Sequence, residues 1–325
     1  MTTPTRISYA ILALTLVLAG WLHFAAPLLA VLFSVFVLNK LLFVRNKWLA
    51  IALFVLVIAG ISYAAVHFIR ASVVALPKIA ETSIPSVLEW AEARGIQLPF
   101  ADYPSLKELA LETVKEQGRS LSLFARGATS TFVLVLIGVV IAINLFLNGE
   151  FDLDRASHRM KNNLYTLCCD AIAVRFRFFY TSFATVMGAQ IVISLINTLL
   201  TAVFAFVVQL PYAPVVIGVT FLCGILPVVG NLISNTIIVC IAFTVSPKFA
   251  LIALVYLVVV HKLEYFLNSK IVGRRIGNPV WLTLIGLIIG EKLLGLPGMI
   301  LAPVVLNYIR LEASQIEVAP DSRPE

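Results

Sequence analysis

Residues 223–235 read CGILPVVGNLISN. They lie in the middle of Ala213–Val245, 33 residues without an Asp, Glu, Lys or Arg. A membrane-crossing helix needs about 20 apolar residues, so this stretch is too long for one span and too short for two. Its centre holds Gly224, Pro227, Gly230, Asn231 and Asn235, residues that break helices or demand hydrogen-bond partners. Each arm is about a dozen residues, roughly 18 Å of helix, enough to reach the middle of a hydrocarbon layer about 30 Å thick. Two readings fit: a re-entrant hairpin, or one tilted span kinked at Pro227.

Composition sets the medium. Hydrophobic residues make up 60% of the 325-residue chain and charged residues 13%, and the mean hydropathy is +0.99. A soluble fold could not hide that much apolar surface, so the chain reads as an all-α polytopic membrane protein. The first apolar stretch runs into a second without a small-residue cleavage site, and so reads as a mature span rather than a signal peptide. The formal charge of +7 sits mostly in short loops, where it sets topology rather than marking a nucleic-acid partner. Cys168, Cys169, Cys223 and Cys240 have no paired spacing and read as free thiols packed as small hydrophobes. With no Gly-rich phosphate loop, the chain is not expected to bind a nucleotide.

Outward from the opening stretch, the apolar runs Ile7–Phe24, Pro27–Val44, Trp48–Ile69, Ala128–Leu147 and Phe183–Val208 read as full spans, and Phe249–Phe266 as another. Residues 1–69 thus hold the first three. Residues 70–126 carry seven basic and seven acidic side chains and read as an extracytoplasmic amphipathic segment. Within it, Ser105 and Glu108 form a capping box and Gly118 a stop. Residues 127–182 hold the fourth span and a basic amphipathic helix expected to lie in the membrane surface. A core of 183–309 ends in a second broken run, 280–309, and 310–325 reads as a disordered cytoplasmic tail.

Basic residues in short loops mark the cytoplasmic side. Arg6, the Arg45/Lys47 link and the 148–182 segment alternate correctly if both termini are inside. The loop carrying Lys262, Lys270, Arg274 and Arg275 then falls inside only if 213–245 enters and returns, which favours the hairpin. The run 280–309 opens with Pro-Val as 213–245 does, and it breaks at a similar Gly-Leu-Pro-Gly cluster. The expectation is about eight membrane segments, two of them re-entrant hairpins in an inverted pair, the pattern by which transporters build a midplane site.

The segments ILPVVGNLIS, HKLEYFLNSKIVGRRIGNPVWL and GEKLLGLPGMILAPVV resemble the autoinducer-2 exporter family, bacterial multi-pass inner-membrane permeases. The resemblance extends over nearly the whole chain. It implies export of a small furanone-like solute, with cation/proton antiport reported for other members. Pro227 and Gly230 fall on the family's Pro-x-x-Gly motif, Glu264 on its acidic position, Gly273 on the following glycine, and Gly295, Gly298 and Pro303 on the last Gly-rich motif. Asn231, Tyr265 and Ser269 depart from that pattern, which bears on the substrate more than on the fold.

In the fifth span Gln190, Ser194, Asn197 and Thr201 share one helix face. Such a stripe either bonds neighbouring helices or wets a solute path. Asn231, Ser234 and Asn235, beside the break at Pro227 and Gly230, suit a neutral polar solute; Gly295 and Gly298 mark the second break. Glu264, with His261 one turn before it, reads either as a carboxylate coupling transport to H+ or Na+ or as an interfacial residue paired with Lys262, His261 or Arg274. Glu291–Lys292 reads as a pair near the second break. No catalytic set and no metal cluster is apparent, so the chain is not read as an enzyme and no cofactor is expected. The partners implied are the lipid bilayer, a small-molecule solute and further copies of the chain, Gly286-x-x-x-Gly290 suiting close helix contact within or between subunits. A non-transporting scaffold that binds an envelope partner through 70–126 is the remaining alternative.

Overall fold

The computed structural model describes residues 2–22, 24–42, 46–95, 118–148, 163–226, 229–267 and 279–316. The described residues form ten α-helices and no strand. These are α1 (Thr3–Trp21), α2 (Ala25–Leu41), α3 (Lys47–Glu92), α4 (Gly118–Asn148), α5 (Leu164–Val207), α6 (Ala213–Gly224), α7 (Val229–Phe243), α8 (Pro247–Leu267), α9 (Val280–Leu294) and α10 (Leu296–Ala313). Five stretches are long and apolar enough to cross a membrane: Thr3–Trp21, Lys47–Ser72, Thr131–Asn148, Leu164–Val207 and Leu296–Ala313. Large apolar side chains such as Leu56, Ile61, Val140, Leu199, Val255 and Ile288 lie exposed, which is tolerable only where lipid replaces water. The chain is a polytopic helical membrane protein.

Its helices fall into two compact units. The first comprises residues 1–51, 133–188 and 274–325. Here Gly138 lets α4 approach α2, since a Cβ there would lie 2.8 Å from the Pro27 carbonyl oxygen. Phe183 of α5 takes Phe33 and Phe36 edge-on at 5.0 and 6.5 Å. Lys47 Nζ donates to the Leu147 carbonyl oxygen (2.8 Å) at the end of α4. Helices α9 and α10 pack along each other, and their break falls at Gly295, whose φ of +65° and ψ of −149° suit glycine alone. A Cβ on Gly298 would collide with the Gly290 carbonyl, and one on Gly286 would press on Leu306. Those antiparallel pairings define a helical hairpin.

The second unit comprises residues 52–132 and 189–273. One core cluster joins Ala75 and Ile79 of α3, Ala205 of α5, Val215, Val216 and Val219 of α6, Ile238, Ile241 and Ala242 of α7, and Ala250, Ala253 and Leu257 of α8. The start of α6 thus shares a core with the end of α7, and the two helices pack along each other. At 12 and 15 residues they are about 18 and 22 Å long, each short of the roughly 30 Å hydrocarbon layer.

Three boundaries differ from the sequence reading. Helix α3 does not stop at residue 69 but continues to Glu92, because Ser72, Ala75, Ile79, Ser83 and Ala91 bury one face of the continuation. Gly118 is the first described residue of α4, and the helix it was expected to stop lies outside the described residues. The helix expected to lie in the membrane surface is continuous with the fifth span in α5, which is 44 residues long. No Gly or Pro interrupts residues 164–187, and Phe179, Ser182, Phe183 and Val186 are buried across the expected join. Finally, α10 runs past residue 309 to Ala313, and Glu312, assigned above to a disordered tail, is buried. The capping box at Ser105 and Glu108 lies outside the described residues.

Candidate functional site

A helix that ends inside a protein leaves its last carbonyls without intrahelical partners. Helix α6 ends in this way at Gly224, and α5 supplies much of the remedy. Ser194 Oγ donates to the Phe221 carbonyl oxygen at 2.8 Å, and Gln190 Nε2 donates to the Gly224 carbonyl oxygen at 2.7 Å. The Leu226 backbone N–H donates to the Cys223 carbonyl oxygen (2.8 Å), and Ile225 N–H reaches that of Leu222 at 3.4 Å. Every terminal carbonyl from Phe221 to Gly224 therefore has a donor. Two glycines make the approach feasible. A Cβ on Gly224 would stand 2.5 Å from Ser194 Oγ, and one on Gly230 would fall on the Cys223 carbonyl.

One turn along, the same face of α5 presents Asn197, which is 6% exposed. Its Nδ2 donates to Glu264 Oε2 of α8 at 3.0 Å. In the first turn of α7, Asn231 Nδ2 donates to both carboxylate oxygens, at 2.8 Å (Oε1) and 2.9 Å (Oε2). Glu264 is thus the point where α5, α7 and α8 meet. Its side chain is 12% exposed. The charged or chargeable group found beside it among the described residues is His261, whose Nδ1 lies 3.9 Å from Oε2 and whose side chain is 64% exposed. A carboxylate can only accept, so both carboxamides are oriented by it. The Asn197 Oδ1 atom is buried, with no hydrogen-bond partner among the described residues.

The rest of the cluster frames this point. Ser234 is buried with Oγ 3.3 Å from the Asn231 carbonyl oxygen, and Asn235 is half-buried beside it. Further along α5, the Thr201 hydroxyl bonds that of Tyr256 (3.0 Å), whose ring stacks on Phe204 at 4.0 Å. The polar stripe of α5 therefore bonds neighbouring helices at each of its four positions, and at Asn197 it also reaches the carboxylate. Gly295 and Gly298 belong to the α9–α10 hairpin of the first unit. Pro227 and Gly273 lie outside the described residues, as do Ser269, Lys270, Arg274 and Arg275. Glu291 and Lys292 do pair, 3.4 Å apart, with both side chains solvent-accessible.

Sequence reasoning did not anticipate the pairing of Asn231 with Glu264; it gave the first to a solute and the second either to coupling with H+ or Na+ or to a pair with Lys262, His261 or Arg274. A signal was available: a carboxamide at the start of one short helix and a carboxylate on the next apolar helix each need a partner at depth. It also missed Tyr256, and it missed a second polar cluster in the first unit. There Glu312 Oε1 accepts from the Tyr9 hydroxyl (2.8 Å) and lies 3.0 Å from Arg175 Nε.

A helix broken in apolar surroundings, with the end of its first arm capped by a neighbour and a nearly buried carboxylate beside the break, defines a membrane protein of the broken-helix kind found among transporters. Residues 7–310 match the AI-2E family transporter, and the chain belongs to that family. It is also 28% identical over 182 residues to a Bacillus subtilis (strain 168) protein named "Putative transport protein YdbI". That match covers 55% of this chain and 52% of the relative, so it spans about half the length of each.

Proposed function

We propose that this protein is a secondary transporter that exports a small polar organic solute, of the autoinducer-2 type, across the bacterial inner membrane, with Glu264 as the coupling group. The observation that carries this reading is the setting of Glu264. Two neutral carboxamides hold its carboxylate, and among the described residues no Lys or Arg lies within 4.0 Å. A nearly buried carboxylate held, among the described residues, by neutral donors would be stabilised at depth by a mobile cation, H+ or Na+. Exposed His261 stands where such an ion would arrive. Because Asn231 and Asn197 bond the carboxylate, loading it weakens its hold on them, and both sit beside the break between α6 and α7. The solute then interacts with Asn231, Ser234 and Asn235, and the α6–α7 and α9–α10 hairpins act as the moving parts of alternating access. Lys and Arg distribution supports cytoplasmic termini.

One feature favours a second reading, cation/proton antiport: the Glu264 carboxylate and the two carboxamides that meet it are oxygen-bearing groups, which suit a small hard cation as well as an organic solute. Reconstitution separates the two. Proteoliposomes containing the wild type should move an autoinducer-2-type furanone under an imposed H+ or Na+ gradient, and Glu264→Gln should abolish the gradient dependence. If Glu264→Gln loses Na+/H+ exchange while furanone flux stays intact, antiport is the correct reading. Equal gradient-driven fluxes in the variant and the wild type would remove Glu264 from the mechanism.

A further inference from the structure

The first unit carries a polar cluster that the transport reading does not use. Glu312, in the last turn of α10, is 8% exposed. Its Oε1 accepts a hydrogen bond from Tyr9 of α1 and forms an ion pair with Arg175 of α5, whose guanidinium also lies over the Tyr9 ring at 4.7 Å. One turn inward, Tyr308 of α10 meets Phe179 of α5 edge-on at 5.8 Å. A single carboxylate thus fastens α10 to two helices far from it in sequence.

The opposite end of α10 is built differently. It leaves the turn at Gly295, in a backbone region that glycine alone occupies readily. The Gly290–Gly298 approach then locks the two limbs of the hairpin together. A hairpin rigid within itself, turning at Gly295 and fastened at the far end through the Glu312 cluster, has the construction of a lever with a catch. Helix α10 is 18 residues long, so the catch lies about 27 Å from the turn. The catch is also energetically suited to release. A nearly buried ion pair gains in Coulomb attraction little more than it loses in desolvation, so its closed form and an open form with both charges in water lie close in free energy.

We propose that the Arg175–Glu312 pair, with Tyr9, is a releasable latch that holds the C-terminal end of the α9–α10 hairpin against α1 and α5, and that it opens to free the hairpin during the protein's working cycle. The inference does not depend on the identity of the solute. Its test reads conformation rather than flux, so it fails or succeeds separately from the transport reading.

Spin labels placed at Ser314→Cys and Val174→Cys, both exposed positions, report the distance between the end of α10 and α5. The four native cysteines are replaced by Ala and the protein is held in lipid nanodiscs. Glu312→Gln keeps an acceptor for Tyr9 and removes only the charge. The latch requires a minor, longer distance population in the unsubstituted background and at least a three-fold rise of that population in Glu312→Gln. It also requires a return to the starting distribution in the charge-swapped pair Arg175→Glu/Glu312→Arg. A single distance that is unchanged in Glu312→Gln, with only the melting temperature lowered, would show a static structural pair and overturn the proposal. If Glu312→Gln does not yield folded protein, Arg175→Gln is read in the same way against the swap.

Discussion

At Gln190 one carbonyl is at stake. Its Nε2 is the donor that the Gly224 carbonyl receives from α5, inside a region where water cannot replace it. Gln190→Leu should therefore cost about 1–3 kcal/mol, read as a lowered unfolding midpoint in detergent. Gln190→Glu, which can donate only when protonated, should rescue less at high pH than at low. The Glu264 carboxylate makes a second case at this scale. Asn231→Leu removes the donor shared by both oxygens, and Asn197→Leu removes the other. Each should impair gradient-driven flux without abolishing membrane insertion, and the pair together should do no worse than Glu264→Gln. A double variant markedly worse than Glu264→Gln would mean that the carboxamides act on something other than the carboxylate.

Among the helices, the glycines divide into those that a neighbour needs and those that nothing touches. Gly60 in α3 has open space where a Cβ would go, whereas Gly298 meets the Gly290 carbonyl. Gly60→Ala should leave stability unchanged or raise it by up to ~1 kcal/mol. Gly298→Ala should separate the limbs of the α9–α10 hairpin and lower the unfolding midpoint by several degrees. Gly295→Ala should cost about 1–3 kcal/mol through its backbone alone. The breaks themselves were legible in the sequence, because Gly and Pro clusters in runs of the wrong length are local signals. The extents of α3, α5 and α10 were not. They are set by buried faces such as Ala75, Phe183 and Glu312, whose burial depends on helices remote in sequence. The same reason hid the Asn231–Glu264 pair: each residue stood out by itself, and only the packing of α7 on α8 joins them.

For the whole molecule, the composition alone required lipid, and the exposed apolar surface says which residues should meet it. A photoactivated apolar probe dissolved in the bilayer should label Leu56, Ile61, Val255 and Val259 and spare Phe54 and Ala253, which are buried in the same helices. Orientation is open to an equally direct measurement. Cysteines replacing Lys248 and Lys262, near opposite ends of α8, should react with impermeant thiol reagents from opposite sides of the membrane. Reaction of both from one side would mean that α8 does not cross. One consequence concerns synthesis. The second unit draws on nothing beyond residue 273, whereas the first unites residues 1–51 with 274–325. Tyr9 and Glu312 are 303 positions apart, so a ribosome must release nearly the entire polypeptide before that contact can form. The first helices inserted must therefore wait in the bilayer for their last neighbours, and a chain arrested after residue 273 should retain protease resistance in 189–267 while α1 and α2 stay open to degradation.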